Sequence, residues 1–248
     1  MKILVCISHV PDTTTKIQFE ADKKGIIRAG VTYIINPYDE YGLSRAIGFK
    51  EEGKSIDAIT AIAVGGPEVE PTLRKALAIG ATEAVRVDAE ATDAFTVATE
   101  IAEYAREREF DIIFTGKESI DFNGAMVPGM VAEMLDYPFI SFATYMEVDE
   151  EEGTTILHRE VDGGYEVVES ELPVVVSCQK GIAEWRIPNM RGIMAARKKP
   201  LARVNSASGE ARVTTDHFEY PPAKGDTRYI DPAQPQQLIS ALVEKGII

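Results

Sequence analysis

Apolar residues cluster in five short stretches, at 2–8, 56–64, 84–87, 111–114 and 173–178. None of them alternates cleanly, so each reads as a strand covered on both faces, the pattern of a parallel sheet. Between them the apolar spacing changes to three and four. Asn36, Pro37 and Asp39 stand as N-cap, N1 and N3 of a helix that buries Leu43, Ala46 and Ile47. Leu73, Ala76 and Leu77 form the stripe of a second helix, which stops at Gly80. Asp93 caps a third, with Phe95, Ala98, Ile101, Ala102 and Ala105 facing inward. Strands alternating with helices of this length predict an α/β fold with a doubly wound, mostly parallel sheet, because parallel neighbours need crossover helices.

The rhythm breaks in four places. Pro11 makes 9–12 a loop, and 16–33 reads as an irregular hairpin-like excursion around Asp22-Lys23-Lys24-Gly25. Residues 141–148, 155–160 and 165–171 alternate, with turn residues at Gly153 and Asp162-Gly163-Gly164, and predict an antiparallel meander. Past Gly181 periodicity is lost. The stretch 206–235 is rich in Ser, Gly, Pro and charge, and only Leu238, Ile239, Leu242 and Val243 suggest a last amphipathic helix. So long a segment with so little core of its own is either a loose linker or a wrap around a partner chain.

The strand at 111–114 feeds Thr115-Gly116-Lys117-Glu118-Ser119-Ile120-Asp121-Phe122-Asn123-Gly124-Ala125-Met126-Val127, and a helix follows. In a parallel sheet such a loop lies at the ligand-binding edge, and glycines with a helix N-terminus suit an anion. Cys6-Ile7-Ser8-His9, Gly65-Gly66-Pro67 and Asn36-Pro37 fall at the same edge. Together they outline a nucleotide-sized crevice, with phosphate at the N–H groups of 123–127 and adenine at the Cys6 and Gly65 backbones. The plainer reading is that each glycine only makes a turn. Lys117 either meets phosphate or pairs with a carboxylate, and Glu118 and Asp121 either act as acid and base or cap the loop.

The chain has 248 residues and 45% hydrophobic content, which suits one large domain with an appendage. A net charge of −14 argues against nucleic acid and membrane phosphates as partners. No apolar run spans a bilayer, and residues 1–6 enter a strand pattern directly, so neither a membrane protein nor a signal peptide is expected. Cys6 and Cys178 lie in apolar runs and read as buried thiols of a reducing, cytoplasmic compartment. His9, His158 and His217 have no second His or Cys at metal-ligand spacing, and no catalytic residues are expected. One basic run, Arg191, Arg197, Lys198, Lys199 and Arg203, surrounds apolar Ile193 and Met194; it is either a solvated loop or a docking surface for an acidic partner.

Several motifs in order resemble the β subunit of electron transfer flavoproteins. They are Leu4-Val5-Cys6-Ile7-Ser8-His9-Val10-Pro11-Asp12, Asn36-Pro37-Tyr38-Asp39-Glu40, Arg74-Lys75-Ala76-Leu77-Ala78-Ile79-Gly80-Ala81 and Gly116-Lys117-Glu118-Ser119-Ile120-Asp121. The most specific is Arg159-Glu160-Val161-Asp162-Gly163-Gly164-Tyr165-Glu166 with Leu172-Pro173-Val174-Val175-Val176-Ser177. The resemblance implies an adenine-nucleotide alpha-hydrolase-like fold and a heterodimer whose FAD is held mainly by the α subunit. It implies AMP, or in electron-bifurcating relatives a second FAD, in the β crevice. By matching position the nucleotide contacts are Cys6, Asn36, Pro37, Tyr38, Asp39, Gly65, Gly116, Lys117, Asp121, Phe122, Asn123, Gly124, Ala125, Met126 and Val127.

It further implies an electron carrier rather than an enzyme, serving flavin-dependent dehydrogenases and a quinone oxidoreductase, as in fatty acid β-oxidation. Residues 1–183 would form the nucleotide-binding domain, 184–203 a partner-recognition loop and 204–248 an arm packed on the α subunit. Met190 takes the apolar anchor position where leucine is usual, with Ile193 and Met194 beside it. The 122–128 stretch departs both from the Asp-Asp-Asp-Cys-Asn-Gln-Thr of the AMP type and from the Gly-Asp-Thr-Ala-Gln-Val-Gly of the bifurcating type. AMP is the expected ligand, because Phe122 and Met126 are bulky where a flavin would need room. A stand-alone adenine-nucleotide-binding protein and an adenylylating enzyme are the rival readings.

Overall fold

A computed structural model describes residues 1–207 and 210–248; residues 208 and 209 of the C-terminal arm lie outside the described residues. The chain opens with β1 (Lys2–Cys6), a short β2 (His9–Pro11) and β3 (Tyr33–Ile35), then α1 (Pro37–Glu51). Strand β4 (Ala58–Val64), α2 (Glu70–Ile79), β5 (Glu83–Asp88), α3 (Ala94–Arg106), β6 (Ile112–Gly116) and α4 (Val127–Leu135) follow in regular alternation. Next come β7 (Phe139–Asp149), β8 (Thr154–Val161), β9 (Gly164–Glu171) and β10 (Val174–Cys178). The chain ends with α5 (Met190–Ala196), β11 (Leu201–Asn205) and α6 (Pro235–Glu244).

Among the described residues one sheet holds nine strands in the order β11-β5-β4-β1-β6-β10-β7-β8-β9, parallel from β11 to β7 and antiparallel beyond. Both faces of its centre are covered, as uniform apolar strands require. Ile3 and Val5 pack with Leu43, Phe49, Leu73 and Leu77 of α1 and α2, whereas Leu4 and Cys6 pack with Ala98, Ile101 and Val131 of α3 and α4. The fold class read from the sequence therefore holds, including the return of β10 to the main sheet between β6 and β7.

Two local expectations are corrected. Residues 9–11 are not a loop but a strand pairing antiparallel with β3, in a register of His9 with Ile35 and Pro11 with Tyr33. Proline is tolerated there because it ends a short, two-stranded edge. The alternating segments form the expected antiparallel meander, β7-β8-β9, at one edge of the main sheet. Strand β7 pairs with β10 at one end and with β8 at the other, and the register shifts between Val176 and Cys178 in the first pairing and between Ala143 and Tyr145 in the second. Finally, 184–203 is not all loop. It contains α5 and most of β11, whose five residues extend the sheet alongside β5. A seven-residue helix and an edge strand are too short for periodicity to announce.

The arm divides into two parts. Asp93 caps α3 through Oδ1, 2.7 Å from Thr96 N, while its Oδ2 accepts the N–H groups of Arg212 and Val213 at 2.6 and 2.8 Å. Farther along, Phe218 and Tyr220 pack on Phe19 of the 16–33 excursion, with ring centroids 5.3 and 4.5 Å apart. By contrast α6 buries none of its residues, and Leu238, Ile239 and Val243 are exposed.

Asp93→Ala removes a helix cap and the acceptor for the arm at once. It is expected to destabilise the fold by about 0.5–2 kcal/mol in urea denaturation and to speed amide exchange at Arg212 and Val213. The hydrogen bond from Thr96 N, above all, lowers the Asp93 pKa from 3.8 to about 2. Its contribution is therefore present above pH 3.8 and disappears as pH falls through 2, where parent and variant should converge.

Candidate functional site

From β1 the chain winds to β4 and β5 on one side, then α3 carries it back across to β6 on the other. The connections after β1 and β6 therefore diverge, which opens a crevice at the carboxyl edge of the sheet. Its floor is a buried polar cluster from the first turn of α1. Asp39 accepts Ser8 N at 2.7 Å through Oδ2, and Gly116 N at 2.9 Å and Asn36 Nδ2 at 2.8 Å through Oδ1. Asn36 Nδ2 also donates to Glu118 O at 2.8 Å, and Asn36 Oδ1 accepts Ile120 N at 3.2 Å.

One carboxylate and one amide thus pin the ends of β1 and β6 and the following loop together. This corrects the expected capping role of Asn36, whose side chain makes no bond to the helix N–H groups. It also explains Gly116. A Cβ there would lie 2.3 Å from Asp39 Oδ1 and 2.7 Å from Tyr38 Cβ. The anion that the Gly116 N–H meets belongs to the chain itself. Burial pushes Asp39 up to about 7, against its donors, of which Ser8 N–H acts most strongly.

The other candidate residues surround this floor. Cys6 ends β1, buried, its thiol pKa raised by desolvation and by Asp39. Pro37 opens α1, and Tyr38 lies beneath Lys117, whose Nζ is 4.8 Å from the ring centroid and 3.6 Å from Glu118 Oε1. Gly65 follows β4; its N–H donates to Val87 O at 3.0 Å and its carbonyl accepts Arg86 Nη1 at 3.2 Å. Arg86 is buried and also binds Glu70 and Asp88 at 2.9 and 2.5 Å. Sequence reasoning missed Arg86, whose signal was one arginine inside the apolar 84–87 run.

The loop leading to α4 is exposed from Asp121 through Met126. Asp121 Oδ1 accepts Phe122 N at 2.9 Å, and Asn123 N donates to Ser119 O at 2.8 Å. Asn123 and Ala125, on either side of Gly124, are both left-handed, at φ 51°. Alternating conformations of this kind turn successive N–H groups toward one side. No side chain caps α4, which begins at Val127. Phe122 and Met126 are 68% and 49% exposed. A concavity of about 560 Å³ lies elsewhere, lined by Asp12, Lys16, Gln18 and Ile27 and by none of the crevice residues. The convergence of buried polar groups at the switch point outweighs the size of that groove.

The histidines serve packing or the surface. His9 stacks on Tyr33 at 4.2 Å with Nδ1 2.7 Å from Thr72 Oγ1, His158 lies between Tyr145 and Tyr165, and His217 faces Asp216. In the 184–203 segment Asn189 caps α5, its Oδ1 2.8 Å from Gly192 N. Met190 and Met194 are 72% and 66% exposed, Ile193 less so, and Arg191, Arg197 and Lys198 flank them.

Residues 24–208 match the profile of the electron transfer flavoprotein domain. Over 225 residues the chain is 39% identical to an electron transfer flavoprotein subunit beta of Syntrophomonas wolfei, covering 90% of this chain and 87% of that one. It is 35% identical to the Bacillus subtilis subunit beta over 98% of this chain and 97% of the relative. With the subunit CarD of the caffeyl-CoA reductase-Etf complex of Acetobacterium woodii it shares 30% identity, over 99% and 97%. The chain belongs to the electron transfer flavoprotein β-subunit family.

The motifs that carry this membership have structural work in the fold. In the flavoprotein stretch 159–166, Arg159 and Glu166 face each other across β8 and β9, 3.5 Å apart, and Gly163 makes the turn between the strands at φ 86°. In 172–177, Val174, Val175 and Val176 supply the fully buried centre of β10. Among the described residues no group of three His, Cys, Asp or Glu side chains is placed to hold a metal ion.

Asp39→Asn tests the floor of the crevice. The amide sets an NH₂ against a backbone N–H, so a loss of about 1–3 kcal/mol is expected on chemical denaturation. The pKa of Asp39 is raised from 3.8 to about 7, so the stability it contributes is full below pH 3.8 and declines as pH rises to 7. The gap between parent and variant should therefore narrow from pH 4 to pH 7; a constant gap would contradict the assignment.

Proposed function

We propose that this chain is the β subunit of a heterodimeric electron transfer flavoprotein, with AMP in its crevice and a share in enclosing the FAD held by the α subunit. The heterodimer carries electrons from flavin-dependent dehydrogenases to a quinone oxidoreductase. The flavin supplies the redox chemistry, and the residues of this chain bind and position. The observation that carries the reading is the donor set at the switch point, where the turn through Asn123 and Ala125 leads into the uncapped start of α4. A phosphate finds backbone N–H groups and a helix dipole there.

Asp39 also favours this placement, because it already takes the Ser8 and Gly116 N–H groups and leaves neither to a phosphate. Adenine then lies toward Cys6 and Gly65, with Asn36, Pro37, Tyr38 and Lys117 around it. Of the side chains from 122 to 128 only that of Asn123 forms conventional hydrogen bonds. So sparse a set suits one phosphate better than a dinucleotide with its ribityl chain, and this supports AMP over a second FAD. The uncovered α6 supports a second chain, and the exposed Met190, Ile193 and Met194 support docking of the dehydrogenase. No helix among the described residues is long and apolar enough to cross a membrane, in keeping with a cytoplasmic carrier.

Co-expression with an α-subunit partner, acid release and chromatography test the proposal. One AMP and one FAD per heterodimer are expected, with the visible spectrum of a bound flavin. Two FAD molecules and no AMP would reassign the crevice, and a chain that stays monomeric beside an α subunit would sink the heterodimer.

A further inference from the structure

Seven residues are too few to hold a helix by themselves, and α5 stays helical because α2 holds it. Arg74 of α2 donates through Nη1 to the carbonyls of Ala196 and Lys199, at 2.8 and 2.9 Å, where α5 ends. In return Lys199 Nζ donates to the carbonyls of Leu77 and Ala81, at 2.8 and 2.6 Å, where α2 ends. The end of α5 is thus met by a cation from α2, and the end of α2 by a cation from the segment just past α5, each at the terminus where positive charge is favoured.

The two backbones are also in contact. A Cβ on Gly192 would lie 2.3 Å from Ala78 O, so only glycine lets α5 lie this close to α2. Arg186 adds a bidentate pair with Glu51 of α1, at 2.8 and 2.7 Å, just before the helix. All of these ties lie apart from the side chains of Met190, Ile193 and Met194, which remain outward and exposed.

We propose that Arg74 and Lys199 are positioning residues for docking. Their reciprocal caps hold α5 on α2, so that Met190, Ile193 and Met194 meet an apolar, acid-rimmed pocket of a flavin-dependent dehydrogenase as a ridge already formed. This rests on the docking role given to α5 above. The physical gain is in association, because side chains and a backbone segment that are already ordered need not be ordered on binding. The electron-transfer step within the formed complex does not depend on either cation, so the effect falls on affinity and not on turnover.

The test uses the assembled, flavin-bearing heterodimer with Arg74→Leu, Lys199→Met, the conservative Arg74→Lys and Lys199→Arg, and Met190→Ala. Amide exchange of residues 190–196 is read by mass spectrometry, and kcat and KM are read with the heterodimer as electron acceptor for an acyl-CoA dehydrogenase. Arg74→Leu and Lys199→Met are expected to accelerate exchange in 190–196. They are also expected to raise KM about tenfold with kcat unchanged, and the conservative variants should restore both. Unchanged exchange in 190–196 overturns the proposal. So does an unchanged KM in Arg74→Leu and Lys199→Met when Met190→Ala raises it, and the docking reading then survives alone. If Met190→Ala itself leaves KM unaltered, the docking reading fails and the positioning role falls with it.

Discussion

At the carboxyl edge of a parallel sheet the last N–H groups of each strand run out of neighbours, and at a switch point the departing loops diverge as well. Asp39 supplies the missing acceptor to both sides, taking Ser8 N–H from the β1 end and Gly116 N–H from the β6 end. Asn36 extends the same cluster to Glu118 and Ile120, so the loop that leads to α4 is fixed at its root. The arrangement has a cost, visible in the Asp39 pKa of about 7: the carboxylate gives up water for three donors. In return the floor of the crevice is held together by the chain's own groups. Gly116 follows from this constraint, since Asp39 and Tyr38 occupy the volume a larger residue would need.

Farther from the crevice, how firmly a segment is held depends on whether it finds polar partners within the chain. Helix α5 and the first part of the arm have few buried side chains, yet both are held by hydrogen bonds to α2 and α3. Asp93 serves two segments at once, and buried Glu100 accepts Ser206 Oγ and Ala207 N at 2.5 and 2.8 Å. Past Tyr220 the polar ties thin out and the apolar residues of α6 face outward. A helix with an apolar stripe and no cover gains its stability from packing elsewhere, which is the physical case for a second chain against it.

The sequence was most legible where burial is symmetric. Strands β1, β4 and β10 are covered on both faces, so their composition alone marks them, and Asp93 caps α3 as its position suggests. It was least legible where one residue serves a distant partner. Asn36 has the identity and position of a cap, but its amide bonds Glu118 and Ile120, more than eighty positions away along the chain, and only the fold brings them together. Lys199 looked like one charge in a basic run, and it is the residue of that run whose ammonium is spent on carbonyls.

That distinction sharpens the electrostatics of the docking surface proposed above. The chain carries a net charge of −14, so an acidic partner is repelled from most of its surface. Lys199 is turned inward to Leu77 and Ala81, but Arg191, Arg197 and Lys198 remain exposed around Met190, Ile193 and Met194. A partner with an acidic rim around an apolar pocket therefore meets repulsion nearly everywhere and attraction at one ridge. Charge then sets the approach and the orientation, while the methionines supply the contact area. A ridge fixed on α2 lets both act without a prior ordering step.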